Sequence, residues 1–173
     1  MYRGDDGQRL ADTTGTDAGD DRVLLPPVVV QPPKAALPLD ALGIQHPARV
    51  ELGDLDLLGY DLYRLGYEHE PEQMWRPGDA LHLNIYWRVK QMLPDLNMSL
   101  RLIDWHGRVQ LEKPLPLGGT VAPSSTWLVG EVIRDQHDVL LGSDLPTGVY
   151  SVEARLNLGE KTHTLSLGSL HIR

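Results

Sequence analysis

The sequence has no cysteine and no phenylalanine. Without cysteine there is no disulfide framework, no thiolate metal site and no cysteine nucleophile. Without phenylalanine, the core of a 173-residue chain that is 41% hydrophobic must be built from Leu, Val, Ile, Trp and Tyr. Long apolar runs are missing too. The most apolar stretch, Val23–Val30, contains Pro26 and Pro27. A spanning helix needs about 20 apolar residues, so neither a transmembrane segment nor direct membrane insertion is expected. Met1–Leu10 is polar and lacks the apolar stretch of a signal peptide. Basic residues are few: 16 Lys and Arg against 24 Asp and Glu give a formal net charge of -8. That balance argues against nucleic acid, whose binding rests on phosphate neutralisation, and against an anionic membrane surface. Metal-ligand spacing is lacking as well. The 7 His residues are scattered, with no H-x-H or H-E-x-x-H pattern, and neither a metal nor a cofactor is expected.

What is present points to strands. Pro 13 and Gly 17 supply many turns. The most regular stretch is Arg76–Val89. A turn at Arg76-Pro77-Gly78-Asp79 opens onto strict alternation. Leu81, Leu83, Ile85, Trp87 and Val89 form one row, and His82, Asn84, Tyr86 and Arg88 form the other. Period two is the mark of a strand with one face in a core and one in solvent. Trp87 is expected to be the largest core side chain, and His82, Asn84, Tyr86 and Arg88 are expected to face water.

Further strands are expected at Arg49–Leu52, Asp54–Arg64, Asn97–Asp104, Arg108–Lys113, Trp127–Val129, Glu131–Leu141, Val149–Leu158, Thr162–Leu167 and Ser169–Ile172. Gly59 inside its strand predicts a bulge. Asp104-Trp105-His106-Gly107 is a hairpin turn, and Pro38–Leu42 holds at most one helical turn. Short strands with turns between them predict an all-β, antiparallel two-sheet sandwich, immunoglobulin-like or carbohydrate-binding-module-like; a closed barrel is the alternative. The sandwich is assigned to residues 34–173. Residues 1–33 form a polar arm with one short strand at Val23–Val30 and a stiff linker at Gln31-Pro32-Pro33. Its acids do not have the spacing of a calcium loop. The arm echoes the chain's last hairpin, Leu165–Ile172, and is a candidate strand donor for a sheet edge or a homodimer.

Catalytic patterns are weak. Ser124 and Ser125 follow Pro123 without a G-x-S-x-G elbow, so turn and cap roles are expected. Asp54, Asp56, Glu131, Asp135 and Asp138 are expected at solvated strand ends rather than as a facing acid pair. His82 and His137 lie on strands, where each can meet an acid. The strongest binding signal is aromatic: Trp75, Trp105 and Trp127 flank turns, and Tyr86 lies on the outward row. Exposed rings stack on sugar faces and anchor interfaces. Trp127 is expected to plug the sandwich edge. For Trp75 and Trp105 packing and binding both stand, with Trp105, at a hairpin tip, the more exposed.

An ordered set of residues resembles a known module. It begins with Leu57-Leu58-Gly59-Tyr60-Asp61-Leu62, then Pro77-Gly78-Asp79 and Tyr86-Trp87-Arg88. It continues through Asp104, Gly107-Arg108-Val109, Gly118-Gly119-Thr120, Pro123-Ser124-Ser125 and Trp127. It ends with Gly130-Glu131-Val132-Ile133-Arg134-Asp135 and Asp144-Leu145-Pro146-Thr147-Gly148-Val149-Tyr150. Together these resemble the C-terminal, extracytoplasmic β-sandwich module of bacterial, Chloroflexi-type, multi-pass membrane proteins similar to glycosyltransferases. The likeness spans Pro38–Ile172. Gln91-Met92-Leu93-Pro94-Asp95 departs from the charged or aromatic segment usual there. No catalytic residue of such proteins has a counterpart here.

The resemblance implies an accessory, non-enzymatic module outside the cytoplasm, with a glycan or an envelope protein as partner. The contact surface expected from the aromatic signal and its neighbours is Trp75, His82, Tyr86, Arg88 and Trp105. The alternative is a structural or assembly domain that associates through its arm and sheet edges.

Overall fold

The computed structural model describes residues 38–67 and 74–173. The arm, its echo of the last hairpin and the acids before Val23 lie outside the described residues. A 3-10 turn at Leu39–Leu42 precedes eight strands. They are β1 (His46–Glu51), β2 (Leu55–Arg64), β3 (Ala80–Val89) and β4 (Asn97–Ile103). Then follow β5 (Val109–Pro116), β6 (Val132–Leu140), β7 (Gly148–Leu158) and β8 (Lys161–Ile172). Every strand pairing is antiparallel, in two four-stranded sheets ordered β1-β2-β3-β6 and β5-β4-β7-β8. The described chain is the antiparallel two-sheet sandwich its alternation predicts.

The core lies where the two inward rows meet. Leu81, Leu83, Ile85 and Trp87 on β3 are fully enclosed, as are Leu100 and Leu102 on β4 and Val152, Ala154 and Leu156 on β7. Leucine and three tryptophans, Trp75, Trp87 and Trp127, do the filling that phenylalanine does elsewhere; burying a Leu-sized side chain contributes about 2 kcal/mol. Trp127 closes the rim as expected, its Nε1 donating to Ala122 O at 2.9 Å.

Local chemistry sets the irregularities. The β2–β3 register slips between Leu57 and Gly59, the predicted bulge. Gly59 has φ +150, and a Cβ there would lie 2.6 Å from both His46 O and Ile44 Cγ2. Only glycine lets the chain entering β1 lie this close. The segments Thr162–Leu167 and Ser169–Ile172 form one strand, β8, whose pairing with β7 shifts between Ser151 and Glu153. Trp127–Val129 is not a strand. Pro123 opens a 3-10 turn at Ser124–Thr126 instead. Ser124 is fully enclosed; its Oγ accepts from Leu96 N–H and donates to Pro94 O, both at 2.8 Å. The predicted turn serine therefore ties the β3–β4 and β5–β6 connections together. The β5 edge carries Pro114 and Pro116, which cannot donate to a further strand.

Candidate functional site

The outward row of β3 is the first surprise. His82, Asn84 and Tyr86 are 8%, 0% and 4% exposed, so the expectation that they face water is corrected. A central strand has neighbours on both sides, and here those neighbours bring complementary polar groups. Register places Asp61 opposite Asn84 and Tyr63 opposite His82 from β2, and Asp138 opposite His82 from β6. Asp61 is the hub. Its Oδ2 accepts from the Tyr86 hydroxyl at 2.7 Å and from Asn84 Nδ2 at 3.2 Å; its Oδ1 accepts from Gln45 N–H at 2.8 Å. His82 spans the gap between Asn84 Oδ1, 3.1 Å from its Nε2, and Asp138 Oδ1, 2.5 Å from its Nδ1. Both ring nitrogens face side-chain oxygens. The Tyr63 ring stacks on His82 at 4.8 Å. Burial first, then the bond to Asp61 and its charge, push the Tyr86 phenol up to about 12. A fully partnered buried network of this kind is rigid and holds one arrangement.

The core-facing row of β6 holds a second polar cluster. Asp135 is 2% exposed and His137 8%, which corrects the placing of Asp135 at a solvated strand end. Asp135 Oδ1 accepts from Gly118 N–H at 2.9 Å, and its Oδ2 accepts from Trp87 Nε1 at 3.4 Å. His137 Nε2 lies 3.1 Å from the same Oδ2. The carboxylate thus clasps the loop after β5 onto the core. Each of the two strand histidines does meet an acid, but in a structural setting. Among the described residues no cluster of three or more His, Asp or Glu is arranged to hold a metal ion.

The five expected contact residues divide into three places. His82, Tyr86 and Arg88 share one face of β3. Arg88 alone of the three is half-buried rather than enclosed. Trp75 is 3% exposed, which corrects its placing on an open surface. Its backbone runs beside the end of β8 in a parallel bridge with Ile172, where Trp75 N–H donates to His171 O and Trp75 O accepts from Arg173 N–H. Trp105 stands apart and is 80% exposed. It sits on the β4–β5 turn with its ring centroid 3.3 Å from that of His106. The turn is held by Asp104. Oδ1 accepts from the N–H groups of His106 and Arg108, each at 2.9 Å, and Oδ2 from Gln110 Nε2 at 2.9 Å. The Arg108 N–H bond first, with those to Gln110 and His106, holds the Asp104 carboxyl below its usual value of 3.8. Gly107 adopts φ +80, as the turn requires.

Two pockets open on the outer face of the first sheet near the start of β2. One of about 460 Å³ lies among Leu39, Ile44, Pro47, Ala48 and Leu58. The other, about 290 Å³, is lined by Arg49, Glu51, Asp56 and Arg88. Sequence reasoning missed Arg49 and Glu51, and it missed Asp61 and Asn84 as partners of the β3 row. One signal was available. Asp61 and Tyr63 alternate in phase after the Gly59 bulge, which puts two polar or aromatic side chains on one face next to β3.

The fold defines an antiparallel sandwich domain of four plus four strands, and solved structures share it. The C-terminal domain of Wzt superposes with a TM-score of 0.50 and 12% identity, over 75% of this chain and 79% of that one. A Niemann-Pick type C2 protein from Japanese carpenter ant gives 0.51 and 8%, over 73% of this chain and 99% of that one. At these identities the likeness establishes the sandwich. No family model matches the sequence, and no curated protein matches it.

Proposed function

We propose that the chain is a non-catalytic binding module, working outside the cytoplasm beside a glycosyltransferase-like envelope protein, and that it contacts a glycan through Trp105. The observation that carries this is an aromatic ring 80% exposed on a turn that three hydrogen bonds to one carboxylate hold rigid. A ring carried on a pre-formed turn stacks on a sugar with little backbone ordering cost. The parent protein and location follow from the resemblance over Pro38–Ile172, and the sandwich shared with the C-terminal domain of Wzt supports an accessory module. The non-catalytic reading is supported by the use of two buried acids, Asp61 and Asp135, and of the exposed Asp138 beside buried His82. Asp61, Asp135 and Asp138 are engaged with Tyr86, Gly118 and His82 in the folding of the sheet.

Fluorescence tests it directly. Trp75, Trp87 and Trp127 are buried, so iodide quenching reports on Trp105. Titration with mannose and N-acetylglucosamine oligosaccharides is expected to protect Trp105 from quenching. Trp105→Ala is expected to weaken binding about tenfold or more with the melting temperature unchanged. Saccharide binding that leaves Trp105 open to quenching, or no binding from the whole panel, would refute the proposal.

A further inference from the structure

The pocket beneath the start of β2 has a chemistry that the Trp105 turn does not use. Three strands meet there. Register sets Glu51 of β1 opposite Asp56 of β2, and Asp56 opposite Arg88 of β3. Like charges directly opposed on neighbouring strands destabilise a sheet. The expected remedy, an Asp56–Arg88 ion pair, is not made. Asp56 Oδ1 has Lys90 Nζ at 3.6 Å as its cation and no hydrogen-bond donor. Arg88 is half-buried and Arg49 exposed, and neither guanidinium has an ion pair or hydrogen bond among the described residues. Yet Arg49, Glu51, Asp56 and Arg88 all line one pocket of about 290 Å³.

Two guanidiniums that only donate therefore face two carboxylates that only accept. The formal charges of these four lining groups cancel, with Lys90 beside Asp56 at the edge, so the lining itself selects neither an anion nor a cation. A hydroxyl donates and accepts at once and can serve both kinds of group. Leu39, Arg49 and Leu58 also line the neighbouring apolar groove of about 460 Å³, with Ile44 and Pro47. A ligand with hydroxyls on one side and C–H groups on the other matches the pair.

We infer that this composite groove is a second binding site, for a neutral, hydroxyl-rich ligand of saccharide type. It rests on the reading of the chain as a glycan-binding module and adds a contact that does not involve Trp105. The test is a nuclear magnetic resonance titration of the isotope-labelled full chain with mannotriose, and separately with inorganic phosphate. Mannotriose is expected to shift the backbone amides of Arg49, Asp56, Leu58 and Arg88. Arg88→Met and Asp56→Asn are expected to weaken that response about tenfold or more each, whereas Trp105→Ala leaves it in place. Arg49→Met, at an exposed position, must weaken it too, which covers the case in which a β2 or β3 variant fails to fold. Phosphate shifting the same amides, with loss in Arg88→Met, would make this an anion site and overturn the inference. Mannotriose acting only at Trp105 and His106 would overturn it while leaving the binding module standing. No response to mannotriose anywhere would overturn it and count against the module as well.

Discussion

Replacing Asp61 tests whether the enclosed row on β3 is a rigid support. Three donors converge on this carboxylate: Gln45 N–H, Asn84 Nδ2 and the Tyr86 hydroxyl. Asp61→Ala leaves all three without their acceptor. Gln45 is exposed and its N–H can turn to water, but Asn84 and Tyr86 are 0% and 4% exposed. An unmet buried donor costs about 1–3 kcal/mol, so the loss is about 3–5 kcal/mol. At about 2–4 °C per kcal/mol for a chain of this size, the melting temperature falls by roughly 6–20 °C. Asp61→Asn keeps the shape but turns one acceptor into a donor, and costs about 2 kcal/mol. The phenol gives a second readout. Its raised pKa of about 12 means that the folded state keeps a proton the unfolded state releases above the usual value of 10.0. The resulting stability is fully present below pH 10.0 and lost as pH rises toward about 12. In Asp61→Asn the last tyrosine to ionise in an ultraviolet titration moves down yet stays above 10.0, since burial, the larger cause, remains. Tyr86→Phe identifies that tyrosine. Urea unfolding of Asp61→Ala with a loss below about 1 kcal/mol, together with an unchanged last tyrosine, would refute the account.

The other predictions follow from single turns. The depressed Asp104 carboxyl stabilises the β4–β5 turn above its usual value of 3.8, and that contribution is lost as pH falls through the lower folded value. The protection factors of the His106 and Arg108 amides, rates divided by the intrinsic rate at each pH, should therefore fall on acidification in the native chain, whereas in Asp104→Asn, which keeps an accepting oxygen but has no charge to lose, they should not change with pH. Gly118 has φ +75, and a Cβ there would lie 1.8 Å from Ala122 O. Gly118→Ala is expected to cost more than about 3 kcal/mol in urea unfolding, because the loop must leave its bond to Asp135.

Much of the fold was legible because alternation and turn chemistry are local. The row Leu81 to Val89 named its own core face, Gly59 its bulge, and Asp104–Gly107 its hairpin. Strand ends were legible to within a few residues; β1 begins at His46 rather than Arg49 because its pairing starts at Tyr60, beyond the bulge. The site was less legible. Period two separates two faces but does not say what lies on the second one. On β6, Ile133, Asp135, His137 and Val139 share the core-facing row, and the polar pair hid a row that would otherwise have read as apolar. Trp105 was legible because a turn tip has nothing above it. Trp75 was not, because its burial depends on pairing with Ile172, a residue nearly a hundred positions away in the chain.

The two faces of β3 explain why one strand organises both fold and site. Its inner row is held mainly by packing: Leu81, Leu83 and Ile85 have no polar atoms to place, and Trp87 adds one directed bond, to Asp135. Its outer row is held by directed bonds, which tolerate one arrangement only. Tyr86, fixed through Asp61 to the chain entering β1, lies two residues before Arg88 on the same face. The guanidinium therefore leaves a strand fixed on both faces, and β1, which brings Arg49 and Glu51, is tied to the same hub through Gln45. A groove whose donors and acceptors must be met together by a ligand needs this kind of placement. Preorganisation lowers the ordering cost of binding, and here it is supplied by residues that need not touch the ligand.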